Sequence, residues 1–184
     1  MKRVFDILFS LLALALLSPL LLGSAIAVFV ESGRPVFFRQ VRVGMEGREF
    51  GMLKFRSMVQ NAAVLGTYQT AVNDPRVTRV GRFLRRTSLD ELPQLLNVLK
   101  GEMSVVGPRP DVPEQRQGYT TAQWEERHRV RPGITGLAQV LYRSNAVGDQ
   151  RLEADLFYVR EASLWLDLKV IFWTLGRLAG KGSN

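Results

Sequence analysis

The 184-residue sequence predicts a mixed α/β fold, rich in helix, in which one apolar membrane segment is attached to a single compact domain. Three observations support this prediction. Residues 7–30 carry no formal charge, residues 35–56 contain two strand-like stretches separated by glycines, and most of the later segments have helical patterns. No linker, repeat or low-complexity tract divides residues 31–184. We therefore expect a membrane anchor over residues 1–30 and one domain over residues 31–184.

The apolar segment is long enough to cross a bilayer, but its middle is interrupted. Twenty-four helical residues are about 36 Å long, against a hydrocarbon core of about 30 Å. Pro19 removes a helical hydrogen bond and favours a bend, and Ser18 is placed to bond a backbone group freed by that bend. We expect Asp6 to be structural, either at the helix start or as a partner of Lys2 or Arg3.

Basic residues stand on both sides of the apolar segment, and the positive-inside tendency therefore places both of its ends on the cytoplasmic side. They are Lys2, Arg3, Arg34, Arg39 and Arg42. Each half of the segment is too short to cross a bilayer alone. The sequence thus predicts a re-entrant helix hairpin in one leaflet. A single kinked span is the alternative, and a signal-peptidase site at residues 25–27 is a weaker one.

The domain begins with a predicted β-hairpin over residues 35–44 and 48–56. Residues 57–66 permit a helix, residues 68–74 form a polar loop, and residues 80–86 predict a helix with a basic stripe of Arg79, Arg82 and Arg86. Further helices are predicted over residues 152–160 and 164–178. The last one is amphipathic, so it lies on a membrane surface or packs against the domain. Its polar stripe contains Asp167, Thr174, Arg177 and Lys181.

The composition indicates an anionic partner without naming it. Lys and Arg number 25 against 17 Asp and Glu, for a formal charge of +8 and a pI of about 10.4. Nucleic acid, anionic lipid headgroups and nucleotide phosphates all remain open. The absence of cysteine excludes disulfides, thiolate metal sites and cysteine nucleophiles. We assign no catalytic task to His128, the only histidine, and find no zinc-type cluster or Walker loop.

Two adjacent carboxylates, Asp90 and Glu91, lie between clusters of arginine. We expect the positive field to lower their pKa and keep Asp90 ionised as a nucleophile. A capping box starting at Ser88 is the structural alternative, but Pro93 would then lie inside the helix. With Asp90 nearer the cap, the helix would run to Lys100 with its positive end towards the site. The neighbouring arginines are Arg76, Arg79, Arg82, Arg85, Arg86 and Arg109.

Two proline-flanked arginines are further candidates for phosphate contacts. Arg109 lies between Pro108 and Pro110, and Arg131 precedes Pro132 and Gly133, so the backbone around each is stiff. Alone, these patterns predict a phosphate site, with a metal, at a membrane. A membrane-anchored pyrophosphate hydrolase and a non-enzymatic basic module that binds nucleic acid or anionic lipid remain alternatives.

The motifs together resemble those of the small monotopic phosphoglycosyl transferases, the bacterial sugar transferase family. The resemblance covers nearly the whole chain and rests on residues 2–6, 54–58, 74–79, 90–109, 131–139 and 167–169. It implies transfer of a sugar 1-phosphate from a UDP-sugar to a polyprenol phosphate, with undecaprenyl phosphate expected, as the first membrane step of glycoconjugate biosynthesis. The segment between Tyr142 and Leu152 is shorter than in the family.

The resemblance also implies roles for individual residues. Asp90 would form a covalent aspartyl-phosphosugar, and Glu91 would bind Mg²⁺. The enzyme would be monotopic in the bacterial inner membrane, with its site on the cytoplasmic face near anionic lipid headgroups, and no nucleic acid partner is expected. The sequence specifies neither the sugar nor an oligomeric state. The residues expected to contact phosphate are Lys54, Arg56, Arg85, Arg86, Arg109 and Arg131.

Overall fold

The structure is a computed structural model, and it describes residues 1–62, 65, 71, 74–142 and 149–179, without the side chains of 178 and 179. Two small sheets lie among seven helices in these ranges, which agrees with the predicted mixed α/β, helix-rich class. The helices are α1 (Lys2–Ser32), α2 (Arg79–Thr87), α3 (Gln94–Lys100), α4 (Thr121–Arg127), α5 (Leu137–Tyr142), α6 (Gln150–Glu161) and α7 (Leu164–Ala179). The strands are β1 (Phe37–Val43), β2 (Glu49–Phe55), β3 (Ser104–Val106) and β4 (Gly133–Thr135).

Helix α1 contains the whole apolar segment, with Pro19 inside it. Ser18 Oγ donates a hydrogen bond to the Ala15 carbonyl at 2.8 Å. Ala15 lies four residues before Pro19, so its carbonyl is the one that Pro19, which has no N–H, leaves unpaired. The predicted role of Ser18 is thereby confirmed. Within the described ranges, α1 is the one helix long and apolar enough to cross a membrane.

The first turns of α1 are bound to the domain by buried polar contacts. Lys2 Nζ lies 2.6 Å from Asp167 Oδ2 on α7. Asp6 is 1% exposed, and its Oδ1 accepts from Ser104 Oγ at 2.9 Å and from the Val105 N–H at 3.0 Å. Asp6 is therefore structural, as expected, but its partners lie on β3 and not at Lys2 or Arg3. The prediction missed them because they lie about 100 positions away in sequence.

The last turn of α1 is bound to the same domain. The Glu31 carboxylate accepts from the backbone N–H groups of Arg79 at 2.9 Å and Val80 at 3.0 Å, at the start of α2. Val28, near the same end, is buried against Phe55 and Leu84. Both ends of the apolar helix thus contact one domain, and most side chains between residues 11 and 22 are exposed.

The predicted β-hairpin is confirmed. Strands β1 and β2 pair antiparallel, from Phe37 opposite Phe55 to Val43 opposite Glu49. The turn between them places Glu46 and Gly47 at positive φ, which glycine tolerates. The helix allowed over residues 57–66 is wrong for residues 57–62, which contain a turn and a bridge from Met58 to Val77. Of the predicted loop over 68–74, only residues 71 and 74 are described.

The main core lies where β3, β4, α5, α6 and α7 meet. Tyr158 on α6 donates its hydroxyl to Asp167 Oδ1 at 2.6 Å and lies 3.0 Å from the Val106 carbonyl. Burial and the neighbouring Asp167 raise the pKa of Tyr158 far above its ordinary range. The helices predicted over 152–160 and 164–178 are confirmed as α6 and α7.

Helix α7 is oriented with part of its polar stripe towards the domain and not towards water. Asp167 is fully buried, and Thr174 Oγ1 lies 2.8 Å from Thr135 Oγ1, so two of the four residues of the predicted stripe point into the domain, whereas Arg177 is exposed. The packing alternative is therefore correct for that face. The opposite face is apolar and exposed, and Lys181 lies outside the described residues. The exposed residues are Trp165, Leu168, Phe172, Trp173 and Leu175.

Candidate active site

A single 3₁₀ turn, Leu89–Glu91, carries the two adjacent carboxylates between α2 and α3. Ser88 ends α2 in the left-handed region, with φ 58°, and makes no side-chain capping hydrogen bond. The capping-box alternative is therefore wrong, because an N-cap residue has an extended backbone. Pro93 lies directly before α3, where its missing N–H is harmless, and Gly101 ends the helix at φ 87°. The predicted end of this helix at Lys100 and Gly101 is confirmed, but the helix begins at Gln94 and not near Asp90.

Asp90 is a buried carboxylate that the described part of the chain leaves without a hydrogen bond. Only 7% of Asp90 is exposed. Burial first, and the charge of Glu91 second, raise its pKa, while Lys54, Arg85 and Arg109 oppose that rise. The expected lowering of the Asp90 pKa is wrong in the free protein, since desolvation outweighs the positive field.

Glu91 receives the contacts that Asp90 lacks. Its Oε1 lies 2.9 Å from Lys54 Nζ and 2.8 Å from an Arg109 Nη. Burial alone would raise the Glu91 pKa, but the charges and hydrogen bonds of these two cations outweigh it and lower the pKa to about 2. Burial also lowers the pKa of Lys54, an effect that Glu91 partly opposes. The dyad thus combines one carboxylate that two cations contact through its Oε1 with one that is buried and accepts no hydrogen bond from the described residues.

Arg85 lies beside the dyad without contacting Glu91. Its Nε donates to Ser57 Oγ at 2.8 Å, and its charge lowers the pKa of Asp90. Gly81 lets α2 approach this close to the Ser57 backbone, because a Cβ there would lie 2.1 Å from the Ser57 carbonyl oxygen. Arg86 points outwards, and the predicted basic stripe of α2 is exposed along its whole length.

Two arginines that were predicted to bind phosphate instead donate hydrogen bonds to backbone carbonyls away from the dyad. Arg56 is buried and donates to the carbonyls of Ser32 and Gly33, both at 2.6 Å, at the end of α1. Arg131 Nε donates to the Gly101 carbonyl at 2.8 Å, at the end of α3 remote from the dyad. In this structure both side chains satisfy helix-end carbonyls, so the structure does not bring them to Asp90.

The residues present fit a magnesium ion only if phosphate or water completes its coordination. The described residues include no group of three or more His, Cys, Asp or Glu placed to hold a metal. Asp90 and Glu91 nevertheless supply hard carboxylate oxygens, and Mg²⁺ is commonly bound by one or two carboxylates together with substrate phosphates. The donor set therefore matches an ion that arrives with a diphosphate.

An apolar groove of about 480 Å³ runs between the second half of α1 and α2. Its lining includes Pro19, inside the apolar segment, and Leu89, which directly precedes Asp90 in sequence. Among the described residues that line it, Arg79 is the one that carries a charge. The groove is lined by Pro19, Leu20, Gly23, Ser24, Ala27, Arg79, Val80, Phe83, Leu84 and Leu89.

The sequence prediction missed a buried cluster behind the Arg109 loop. Arg127, Asp111 and Asp155 are each about 5% exposed, and Arg127 forms an ion pair with each of the two aspartates. The aspartates lie 16 and 28 positions from Arg127, so no local pattern connects the three residues. His128 is buried beside them, and burial lowers its pKa.

Comparison with known proteins identifies the family of this chain. A family model described as "Bacterial sugar transferase" matches residues 1–181. An undecaprenyl-phosphate glucose phosphotransferase of Komagataeibacter xylinus is 46% identical over 96% of this chain and 35% of its own length. A UDP-glucose:undecaprenyl-phosphate glucose-1-phosphate transferase of Klebsiella pneumoniae is 50% identical over 95% of this chain and 39% of its own length.

The chain therefore spans well under half the length of those two relatives. A shorter relative, the exopolysaccharide production protein PSS of Rhizobium leguminosarum bv. phaseoli, is 44% identical over 95% of this chain and 93% of its own length. The match thus covers nearly all of this chain in every case, and in the Rhizobium protein it covers nearly all of the relative as well.

Proposed function

Because the chain belongs to the bacterial sugar transferase family, we propose that it transfers a sugar 1-phosphate from a UDP-sugar to undecaprenyl phosphate. The products are UMP and a polyprenyl-diphosphate sugar. The observation that carries the proposal is the free, buried Asp90 beside the paired Glu91, next to an apolar groove. Leu89, the residue before Asp90, lines the groove, so a prenyl chain held there would lie close to the carboxylate.

In the first step, an Asp90 oxygen attacks the phosphorus that bears the sugar. A bond forms between that oxygen and phosphorus, the bond to the bridging oxygen of the diphosphate breaks, and UMP leaves with the electron pair. Asp90 suits this role because no hydrogen bond must be broken to free it. Arg109 and Lys54 stand beside the reacting atoms and can share their charge with phosphate oxygens.

In the second step, a phosphate oxygen of the lipid acceptor attacks the same phosphorus and releases Asp90. Neither step needs a proton transfer once Asp90 is ionised, because the lipid phosphate is also an anion. This accounts for the absence of a histidine near the dyad in the described chain, His128 being held in the cluster behind the Arg109 loop. The groove lined by Pro19 and Leu89 would hold the start of the prenyl chain, since its lining is almost wholly apolar.

Magnesium is part of the proposal, with Glu91 as its protein ligand. When bound, the ion would neutralise charge on the diphosphate and on the departing UMP. Glu91 is ionised at neutral pH, because its pKa is lowered to about 2. Lys54 and Arg109, which contact Glu91 in the free protein, would then be available for phosphate.

We also propose the re-entrant, monotopic arrangement at the cytoplasmic face of the inner membrane. It is supported by the attachment of both ends of α1 to one domain, through Asp6 at the start and Glu31 at the end. A helix that crossed the bilayer would place those ends on opposite sides of the membrane. The exposed apolar middle of α1 and the exposed face of α7 would contact lipid.

The test is UMP release by the purified protein with Mg²⁺, undecaprenyl phosphate and a panel of UDP-sugars. We expect release of UMP together with an equal amount of lipid-linked sugar. A membrane-anchored hydrolase would instead release free sugar phosphate without a lipid product. A basic binding module would release neither.

A further inference from the structure

We infer that Arg127 is a positioning residue for this reaction: from the buried end of α4 it fixes the backbone of Arg109, whose guanidinium contacts Glu91. The inference rests on the proposed function and extends it beyond the dyad. It concerns a residue that touches neither carboxylate of the dyad and that stands on a different element.

The loop that carries Arg109 is held at every carbonyl. The carbonyls of residues 108–111 each accept a hydrogen bond, and the donors come from β4, α4 and β1. Such a loop has little freedom to turn its side chains, and two of the four residues are prolines. The four bonds are Gly133 N–H to Pro108 at 2.9 Å, Arg127 Nη to Arg109 at 2.8 Å, Arg42 Nη to Pro110 at 2.8 Å and Val43 N–H to Asp111 at 2.9 Å.

The Arg127 guanidinium satisfies three acceptors at once. Its Nε and one Nη lie 3.0 and 2.7 Å from Asp155 Oδ2, and its other Nη pairs with Asp111 Oδ2. The Nη shared with Asp155 also donates to the Arg109 carbonyl. Only 5% of this side chain is exposed, so it is rigid, and the planar fork of arginine serves three acceptors where a lysine ammonium could not reach all three.

Arg109 depends on this support because its own side chain is loosely covered. Its side chain is 44% exposed, and in the described part of the chain its one bonding partner is Glu91 Oε1 at 2.8 Å. Packing therefore does not hold the guanidinium, and its direction follows from the backbone at residue 109. A displacement of about 1 Å in a positioning group can cost on the order of a hundredfold in rate.

The experiment is a double-mutant cycle between Arg127 and Arg109. In Arg127→Lys, which keeps the charge but loses the fork, we expect kcat/KM for UMP release to fall on the order of tenfold to a hundredfold. In the Arg109→Ala background the same substitution should change kcat/KM by less than about twofold, because its target is already gone. Arg129→Lys, an exposed neighbour of the cluster, should match the wild type.

Equal losses in both backgrounds would overturn the inference, because Arg127 would then act on stability alone. Amide exchange of Val43, Val112 and Gly133, whose N–H groups donate to Asp111, Gln115 and Pro108, is a readout independent of activity, and Arg127→Lys should speed it on the order of tenfold, about 1.4 kcal/mol. Unchanged exchange in this loop would also overturn the inference. Asp155→Asn, which removes the negative charge of one ion-pair partner of Arg127, provides the same measurements if Arg127→Lys does not fold. A wild type that releases no UMP refutes the proposed function and leaves exchange to decide.

Discussion

Replacing Asp6 with alanine should detach the start of α1 from β3. Asp6 is 1% exposed and accepts two hydrogen bonds, from Ser104 and from the Val105 N–H. Hydrogen bonds to a charged group contribute about 1.5 to 3 kcal/mol each. Both donors are buried, so water cannot replace the hydrogen bonds that they lose. We therefore expect Asp6→Ala to lower stability by about 3 to 6 kcal/mol.

Thermal unfolding of the protein in lipid nanodiscs measures this loss. At roughly 2 to 4 °C per kcal/mol for a chain of this size, Tm should fall by roughly 6 to 24 °C. Asp6→Asn keeps one oxygen acceptor and should lose about 1 to 2 kcal/mol. Glu161→Ala, an exposed acid at the end of α6, is the matched control and should stay within about 0.5 kcal/mol of the wild type. A shift below 2 °C for Asp6→Ala would refute the view that Asp6 anchors α1.

Three further predictions concern the dyad and the membrane segment. Burial and the charge of Glu91 raise the pKa of Asp90, so the ionised form of Asp90 destabilises the fold above that pKa. Asp90→Asn should therefore raise Tm at pH 7 while it abolishes turnover. A lower Tm in this variant would contradict the raised pKa. The pKa of Glu91 is lowered to about 2, so its charge stabilises the fold above the ordinary glutamate pKa. In unfolding experiments, the stability difference between wild type and Glu91→Gln should be constant above about pH 5 and should shrink towards pH 2. A difference that grows with acid would contradict the pairing of Glu91 with its two cations. Tags before Met1 and after Asn184 should both be accessible from the cytosol. In Pro19→Leu, part of the protein should carry its two tags on opposite sides of the membrane, and activity should be lower. Tags on opposite sides in the wild type would exclude the re-entrant arrangement.

The elements with a local signal could be predicted from the sequence. The hairpin followed from its alternating residues and glycines, α3 from Pro93 and Gly101, and the Ser18 hydrogen bond from the missing N–H of Pro19. In each case the cause lies within a few residues of the effect. The division of the chain near residue 30 and the roles of the site residues stay predictions.

The features that depend on distant partners could not be predicted. Arg56 and Arg131 look like phosphate ligands in the sequence, but each finds the carbonyl end of a helix in the fold. The direction of the Asp90 pKa also depends on burial, which the charge pattern does not reveal. The cluster around Arg127 is built from three separate segments, so only the folded chain shows that it supports Arg109.

The central claim is that Asp90 becomes covalently bonded to the sugar phosphate. The most direct measurement is exchange of labelled UMP into the UDP-sugar with Mg²⁺ but without lipid acceptor, followed by mass spectrometry of the trapped protein. A covalent first step predicts exchange without acceptor and one sugar-phosphate mass on the peptide that contains Asp90. Asp90→Asn should lose both signals while it still binds UDP-sugar. Exchange that requires undecaprenyl phosphate, or an Asp90→Asn protein that still turns over, would contradict the claim.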